Sequence, residues 1–182
     1  MEEKNQKNID KLVEAAQNGN VEAFGDLYDI FLAEIYRFVY YKVLHKEIAE
    51  DLTEDIFFKV WQNLNKYKKT QFKFSSWLYR VAHNTVIDYV RKENIFIEEI
   101  DPNLSDEKTC TKKNTENYFN HKILTKVLQS LPENQKEAVI LKYINDLTNK
   151  EIAEVLKKSE TAVRILLSRA LKKMQELIKK YF

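Results

Sequence analysis

Helix start and stop signals recur in the fifty residues LPENQKEAVILKYINDLTNKEIAEVLKKSETAVRILLSRALKKMQELIKK, Leu131 to Lys180, at intervals that leave room only for helices and tight turns. Pro132 followed by Glu133 suits a first helical turn, Thr148 with Glu151 forms a capping box, and Ser159 is a good N-cap for a last helix. The segment therefore predicts three successive helices, the last two joined by a very short turn, which is the spacing of a helix-turn-helix.

From Thr161 onward, turning successive residues by about 100° separates two faces. Val163, Leu167, Ala170, Met174 and Leu177 share one, while Thr161, Arg164, Ile165, Ser168, Arg169 and Lys172 occupy the other. Long cations for phosphates and guanine edges, small hydroxyls and one apolar group suit a helix lying in a major groove. A helical hairpin with a merely solvated basic face would read the same way.

The rest of the chain supports an all-α fold. Only two glycines (Gly19, Gly25) and two prolines (Pro102, Pro132) interrupt 182 residues, which disfavours β architectures and Gly-rich phosphate loops. Hydrophobic residues make up 44%, enough for a real core. Since no apolar run approaches the ~18 residues of a membrane span and MEEKNQKNID has no signal-peptide character, a cytoplasmic protein without membrane insertion is expected. A single cysteine, Cys110, allows neither an internal disulfide nor a thiolate metal cluster, and His45, His83 and His121 are scattered. No catalytic residue, cofactor or metal site is expected.

The net charge of +2 hides a segregation along the chain. Residues 1–65 hold 7 bases against 13 acids (−6), and 66–92 hold 7 against 1 (+6). Six acids and no base follow in 93–107, whereas 147–182 hold 9 bases against 4 acids (+5). Two basic blocks around an acidic spacer suggest two contacts on one polyanion. Helical periodicity runs through Phe24, Leu27, Tyr28, Phe31, Ile35, Phe38 and Val39, then through Leu52, Ile56, Val60 and Leu64. A further helix runs from Ser75 or Ser76 to about Lys92. Periodicity then vanishes until about Glu116, a linker too short for another domain. The expected organisation is a helical domain over 1–95, a linker over 96–117 and a second helical domain over 118–182.

Two surfaces of the first domain stand out. Asp51, Asp55, Phe58 and Gln62, spaced 4, 3, 4, form a stripe opposite the apolar side centred on Ile56 and Val60. An aromatic among carboxylates resembles a protein-docking anchor with a charged rim, unless another helix covers Phe58. The second surface lies in KYKKTQFKFSSWLYRVAHNTVIDYVRK, where Arg80, Asn84, Ile87 and Arg91 share one helical face with Trp77 at its margin. Leu78, Val81, Ala82, Thr85 and Tyr89 point the other way. Tyr67, Phe72 and Phe74 are interleaved with Lys68, Lys69 and Lys73 ahead of that helix. Cations along a backbone and rings for unstacked bases describe a single-strand site, stacking being worth ~1–3 kcal/mol per base. The alternative is that Phe72, Phe74 and Trp77 belong to the core.

The motifs AEDLTEDIFFKVW (Ala49 to Trp61), SSWLYRVAHNTVIDYVRK (Ser75 to Lys92) and LPENQKEAVILKYINDLTNKEIAEVL with SRALKKM (Leu131 to Met174) resemble, in order and separation, a bacterial RNA polymerase sigma factor of the extracytoplasmic-function class. The resemblance implies two all-α domains, sigma domains 2 and 4, with a linker too short for the additional domain of larger sigma factors. It implies docking of Asp51, Asp55, Phe58 and Gln62 on core RNA polymerase, and reading and melting of the -10 promoter element by Tyr67, Lys68, Phe72, Trp77, Arg80 and Asn84, with Arg91 on the same face. It implies reading of the duplex -35 element by Thr161, Arg164, Ile165, Ser168 and Arg169, with Lys172 and Lys173 near phosphates, and an anti-sigma factor as a further partner. A stand-alone helix-turn-helix regulator is the alternative function. The chain departs from the family's pattern at Lys157 and Lys158, where family members usually place Gly and an apolar residue, and at Leu166, often a base there. Without glycine, the turn requires another geometry or a left-handed lysine.

Overall fold

The computed structural model describes residues 2–69, 72–93 and 123–179, and all regular structure among them is helical. The linker expected over 96–117, with Cys110, lies outside the described residues, as does His121.

The first domain contains α1 (Glu2–Gln17), α2 (Val21–Val43), α3 (Lys46–Asn63), a 3-10 turn (Leu64–Lys66) and α4 (Phe74–Glu93). Asn20 starts α2 by accepting the backbone N–H of Ala23 at 3.0 Å. At its other end Leu44 takes a left-handed conformation (φ 54°), and its N–H returns to the Tyr40 carbonyl at 2.6 Å. The helices α2 and α3 thus form a tight hairpin that buries Leu27, Phe31, Ile35, Phe38 and Val39 against Leu52, Ile56 and Val60. Gln17, at the end of α1, donates to the carbonyls of Leu64 (2.9 Å) and Tyr67 (3.0 Å), fixing the 3-10 turn and the start of the basic loop.

The second domain contains α5 (123–129), α6 (Glu133–Val139) extended by a π turn (Ile140–Ile144), α7 (Asn149–Leu156) and α8 (Glu160–Ile178). The capping box at α7 is present in both directions between Thr148 and Glu151, and Ser159 caps α8 by accepting the Ala162 N–H at 3.1 Å. Between α7 and α8 the turn pivots on Lys157 at φ 53°, ψ 44°. The left-handed geometry that glycine would adopt freely is therefore carried by a lysine. Val163, Leu167 and Ala170 are buried, and Met174 and Leu177 half-buried, so the apolar face of α8 lies where its periodicity indicates.

The domains pack on each other, chiefly α4 against α7, and the buried side chains join into one apolar cluster that includes both. This contact rotates the inward face of α4 from the expected one. Leu78, Tyr79, Ala82, Thr85 and Val86 are buried, whereas Val81 and Tyr89 are only half-buried. The reason is tertiary: the side bearing Tyr79 and Val86 meets the second domain as well as its own.

Candidate polymerase and nucleic-acid interfaces

The helix α3 turns Ala49, Leu52, Thr53, Ile56, Phe57 and Val60 inward, and the opposite side stays bare. Asp51, Asp55 and Gln62 are exposed, and Phe58 is 61% exposed, so no helix of the described chain covers that ring. An open phenyl ring rimmed by carboxylates gains from burial against a partner and resists a like-charged one. Trp61, 39% exposed, lies one turn on and packs edge-on against Phe24 at 4.7 Å between centroids, widening the aromatic surface.

Ahead of α4 the rings divide by role. Tyr67 is buried, its hydroxyl donating to the Phe72 carbonyl at 2.8 Å. Burial and the Asp10 carboxylate push its phenol up to about 12. Its ring packs against Phe74 (5.6 Å) and Trp77 (5.5 Å), and Phe74 is also fully buried. The expectation that Tyr67 presents a free ring to bases is therefore corrected: it ties the loop down. Trp77 and Phe72 are half-buried and Lys68 is exposed. Lys69 is tied to Asp10 at 2.8 Å.

On α4, Asn84 and Arg91 are exposed, but Arg80 is not open. Its guanidinium lies 4.4 Å from the centroid of the Phe72 ring and donates to the backbone carbonyl of Glu154, in α7, at 2.8 Å. Lys73 pairs with Glu151 at 2.8 Å. Burial raises the Glu151 carboxyl, but hydrogen bonds from Lys73 and Thr148 outweigh it and leave the group below the usual glutamate range.

Along α8 the outward face is intact: Thr161, Arg164, Ile165, Ser168, Arg169 and Lys172 are exposed, and Lys173 is half-buried. Ile165 is 46% exposed, an isolated apolar group among cations and hydroxyls. Arg164 lies 3.6 Å from Glu160 one turn earlier, a solvent-exposed pair that a nucleic acid could displace at little cost.

Sequence reasoning missed the seam between the domains. Asn145 donates its amide both to the Tyr79 hydroxyl and to the Glu34 carbonyl, each at 2.9 Å. Lys42 pairs with Glu133 and with Glu137 (3.5 Å), His83 meets Glu137, and Lys136 donates to the Lys42 carbonyl at 3.0 Å. Burial raises the Glu137 carboxyl, yet His83 and Lys42 bring it below its ordinary value; burial lowers Lys136. A cleft of about 350 Å³ lies along this seam between Val86, Val90 and Arg91 of α4 and Leu156 and Lys158. The one available signal was helical spacing: Leu78, Tyr79, Ala82 and Val86 fall at i, i+1, i+4 and i+8.

A helix-turn-helix with a bare basic face, packed on a second helical domain that carries a basic-aromatic loop, defines a protein of two small helical domains. Comparison with known families resolves the class. The Sigma-70 region 2 model matches residues 27–95 and the Sigma-70, region 4 model matches residues 121–174. The ECF RNA polymerase sigma factor BldN of Streptomyces coelicolor is 31% identical over 172 residues, 92% of this chain and 65% of BldN, so the chain spans just under two thirds of that relative. The ECF sigma factor SigM of Bacillus subtilis is 27% identical, over 84% of this chain and 93% of SigM. In fold, the chain is similar to CnrH in complex with the cytosolic domain of CnrY (TM-score 0.73, 22% identity, 93% of this chain and 96% of CnrH). It is also similar to the sigma factor RpoE of Bartonella quintana in complex with the anti-sigma factor NepR (TM-score 0.70, 21% identity, 87% of this chain and 98% of RpoE). The chain belongs to the bacterial RNA polymerase sigma factors of the extracytoplasmic-function class.

Proposed function

We propose that this chain binds core RNA polymerase, directs it to a small set of promoters and helps melt them, without catalysing a reaction itself. It acts in the cytoplasm with the polymerase, and an anti-sigma factor is the partner that would withhold it. The organisation that fits is sigma domain 2 over 1–95, a linker over 96–117 and sigma domain 4 over 118–182. The observation that carries the reading is the coexistence in one chain of an uncovered Phe58 among Asp51, Asp55 and Gln62 with a fully outward basic face on α8.

In this reading the α3 stripe docks on polymerase. Lys68, Phe72, Trp77, Arg80, Asn84 and Arg91 hold the melted -10 strand, with Tyr67 supporting their loop. Thr161, Arg164, Ile165, Ser168 and Arg169 read the duplex -35 element while Lys172 and Lys173 meet phosphates. A stand-alone regulator would need the first half as a ligand or dimer domain, and would leave Phe58 without a purpose. Run-off transcription with purified core polymerase tests the reading: promoter-dependent initiation only in the presence of this chain supports it, and a chain that binds promoter DNA but confers no initiation refutes it.

A further inference from the structure

We propose that the cleft between the second half of α4 and the end of α7 is a binding site for a small amphiphilic anion, a straight-chain carboxylate of medium length. At about 350 Å³ it has the size of a small-ligand pocket, and such pockets are mostly apolar with a few placed polar groups. One wall comes from a single face of α4. Val86, Ile87 and Val90 fall at i, i+1 and i+4, and they run from buried at Val86 through half-buried at Ile87 to 39% exposed at Val90. Leu156, half-buried at the end of α7, lines the same cleft from the second domain. An apolar track that leads outward to solvent suits an alkyl chain, which gains from lost water contact and needs no hydrogen-bond partner.

Charge selects the head group. Lys42 pairs with Glu133 and Glu137, and His83 meets Glu137, so the inner charged groups of the lining are matched to one another. Arg91 and Lys158 also line the cleft, both exposed, and among the described residues neither has a carboxylate partner. The excess charge at the open side is therefore positive. An anion there would be met by a guanidinium from one domain and an ammonium from the other. A cationic or neutral amphiphile would leave both unmatched. Glu133, whose side chain is 62% exposed on the same lining, disfavours a dianion and so favours a carboxylate over a phosphate. Lys158 and the apolar wall lie outside the proposed polymerase and promoter contacts, with which only Arg91 is shared.

The test is isothermal titration calorimetry of the full chain with sodium butanoate, hexanoate and octanoate, each below its micelle concentration. The expected result is saturable one-to-one binding that tightens roughly fourfold per added methylene, the increment for burying each group on an apolar wall. Octyltrimethylammonium, with the same tail and the opposite charge, should not bind. Lys158→Ala should weaken octanoate about tenfold, the worth of one charge-assisted hydrogen bond. Val90→Asp, at an exposed position, should abolish binding while the helical circular dichroism spectrum stays unchanged. No saturable binding, affinity independent of chain length, equal binding of octanoate and octyltrimethylammonium, or wild-type affinity in both variants overturns the site. So does a dimer that light scattering finds for the wild type and not for Val90→Asp, because the apolar wall would then be covered by a second copy of the chain.

Discussion

The side-chain amide of Asn145 lies 2.9 Å from the hydroxyl of Tyr79, joining the end of the π turn in one domain to the second turn of α4 in the other. Sixty-six positions separate them. Burial and the nearby Glu34 carboxylate push the Tyr79 phenol far above its ordinary value, so it stays a neutral hydrogen-bonding group at any physiological pH. Domain packing in this chain therefore runs through specific polar contacts as well as apolar surface.

At the α3 stripe, Phe58→Ala and Asp55→Lys are expected to weaken the complex with core RNA polymerase, the first by ~2 kcal/mol or more if the ring is a buried anchor. Both side chains are exposed, so the helical circular dichroism spectrum should not change. A polymerase pull-down with wild-type retention for both variants would remove the stripe from the interface.

The rings ahead of α4 should separate into two behaviours. Trp77→Ala and Phe72→Ala are expected to reduce permanganate reactivity of promoter thymines in the open complex more than they reduce duplex binding. Tyr67→Phe, which removes the hydrogen bond to the Phe72 carbonyl, should instead cost ~1 kcal/mol in urea unfolding. Equal thymine reactivity in wild type, Trp77→Ala and Phe72→Ala would assign both rings to packing.

On α8, Arg164→Ala should cost ~1–3 kcal/mol on the preferred -35 sequence and much less on scrambled DNA. Lys172→Ala with Lys173→Ala should weaken binding to all sequences and flatten its salt dependence. Titrations of the full chain at two salt concentrations distinguish these effects, and equal losses for Arg164→Ala on both DNAs would take it out of base reading.

Lys157→Gly is expected to stabilise the protein by ~0.5–1 kcal/mol. The left-handed backbone at φ 53° costs a side-chain-bearing residue about 1–2 kcal/mol, and the greater freedom of glycine in the unfolded chain takes back only part of the gain. A denaturant midpoint that falls in the variant would contradict this account of the turn.

Acid stability should depend on Glu137. Because His83 and Lys42 hold its folded-state pKa below the ordinary 4.5, its ionised form contributes stability that is present above 4.5 and is lost as pH falls through the folded value. Glu137→Gln should lower stability at neutral pH and flatten the acid limb below 4.5. Parallel acid limbs for the two proteins in a pH series of urea titrations would refute the linkage.

Much of this protein was legible because its signals are local. Thr148 with Glu151 and Ser159 marked the starts of α7 and α8, where capping depends on residues three positions apart. The apolar face of α8 followed from helical periodicity. Phe58 could be placed opposite Ile56 and Val60, but its exposure could not be read, since any helix packed on that side would have covered it.

What the sequence determined by itself was the all-helical class, the starts of α7 and α8, the two faces of α8 and the family, all carried by short-range spacing and motif order. What only the tertiary structure decided was which surfaces remain open. Tyr67 is drawn into the core beside Phe74 and Trp77, and Arg80 is taken up by the carbonyl of Glu154, 74 positions away. The faces of α4 shifted for the same reason: periodicity reports that a helix has a buried side, but a helix caught between two domains is buried by both, and its pattern alone does not say where the second will sit.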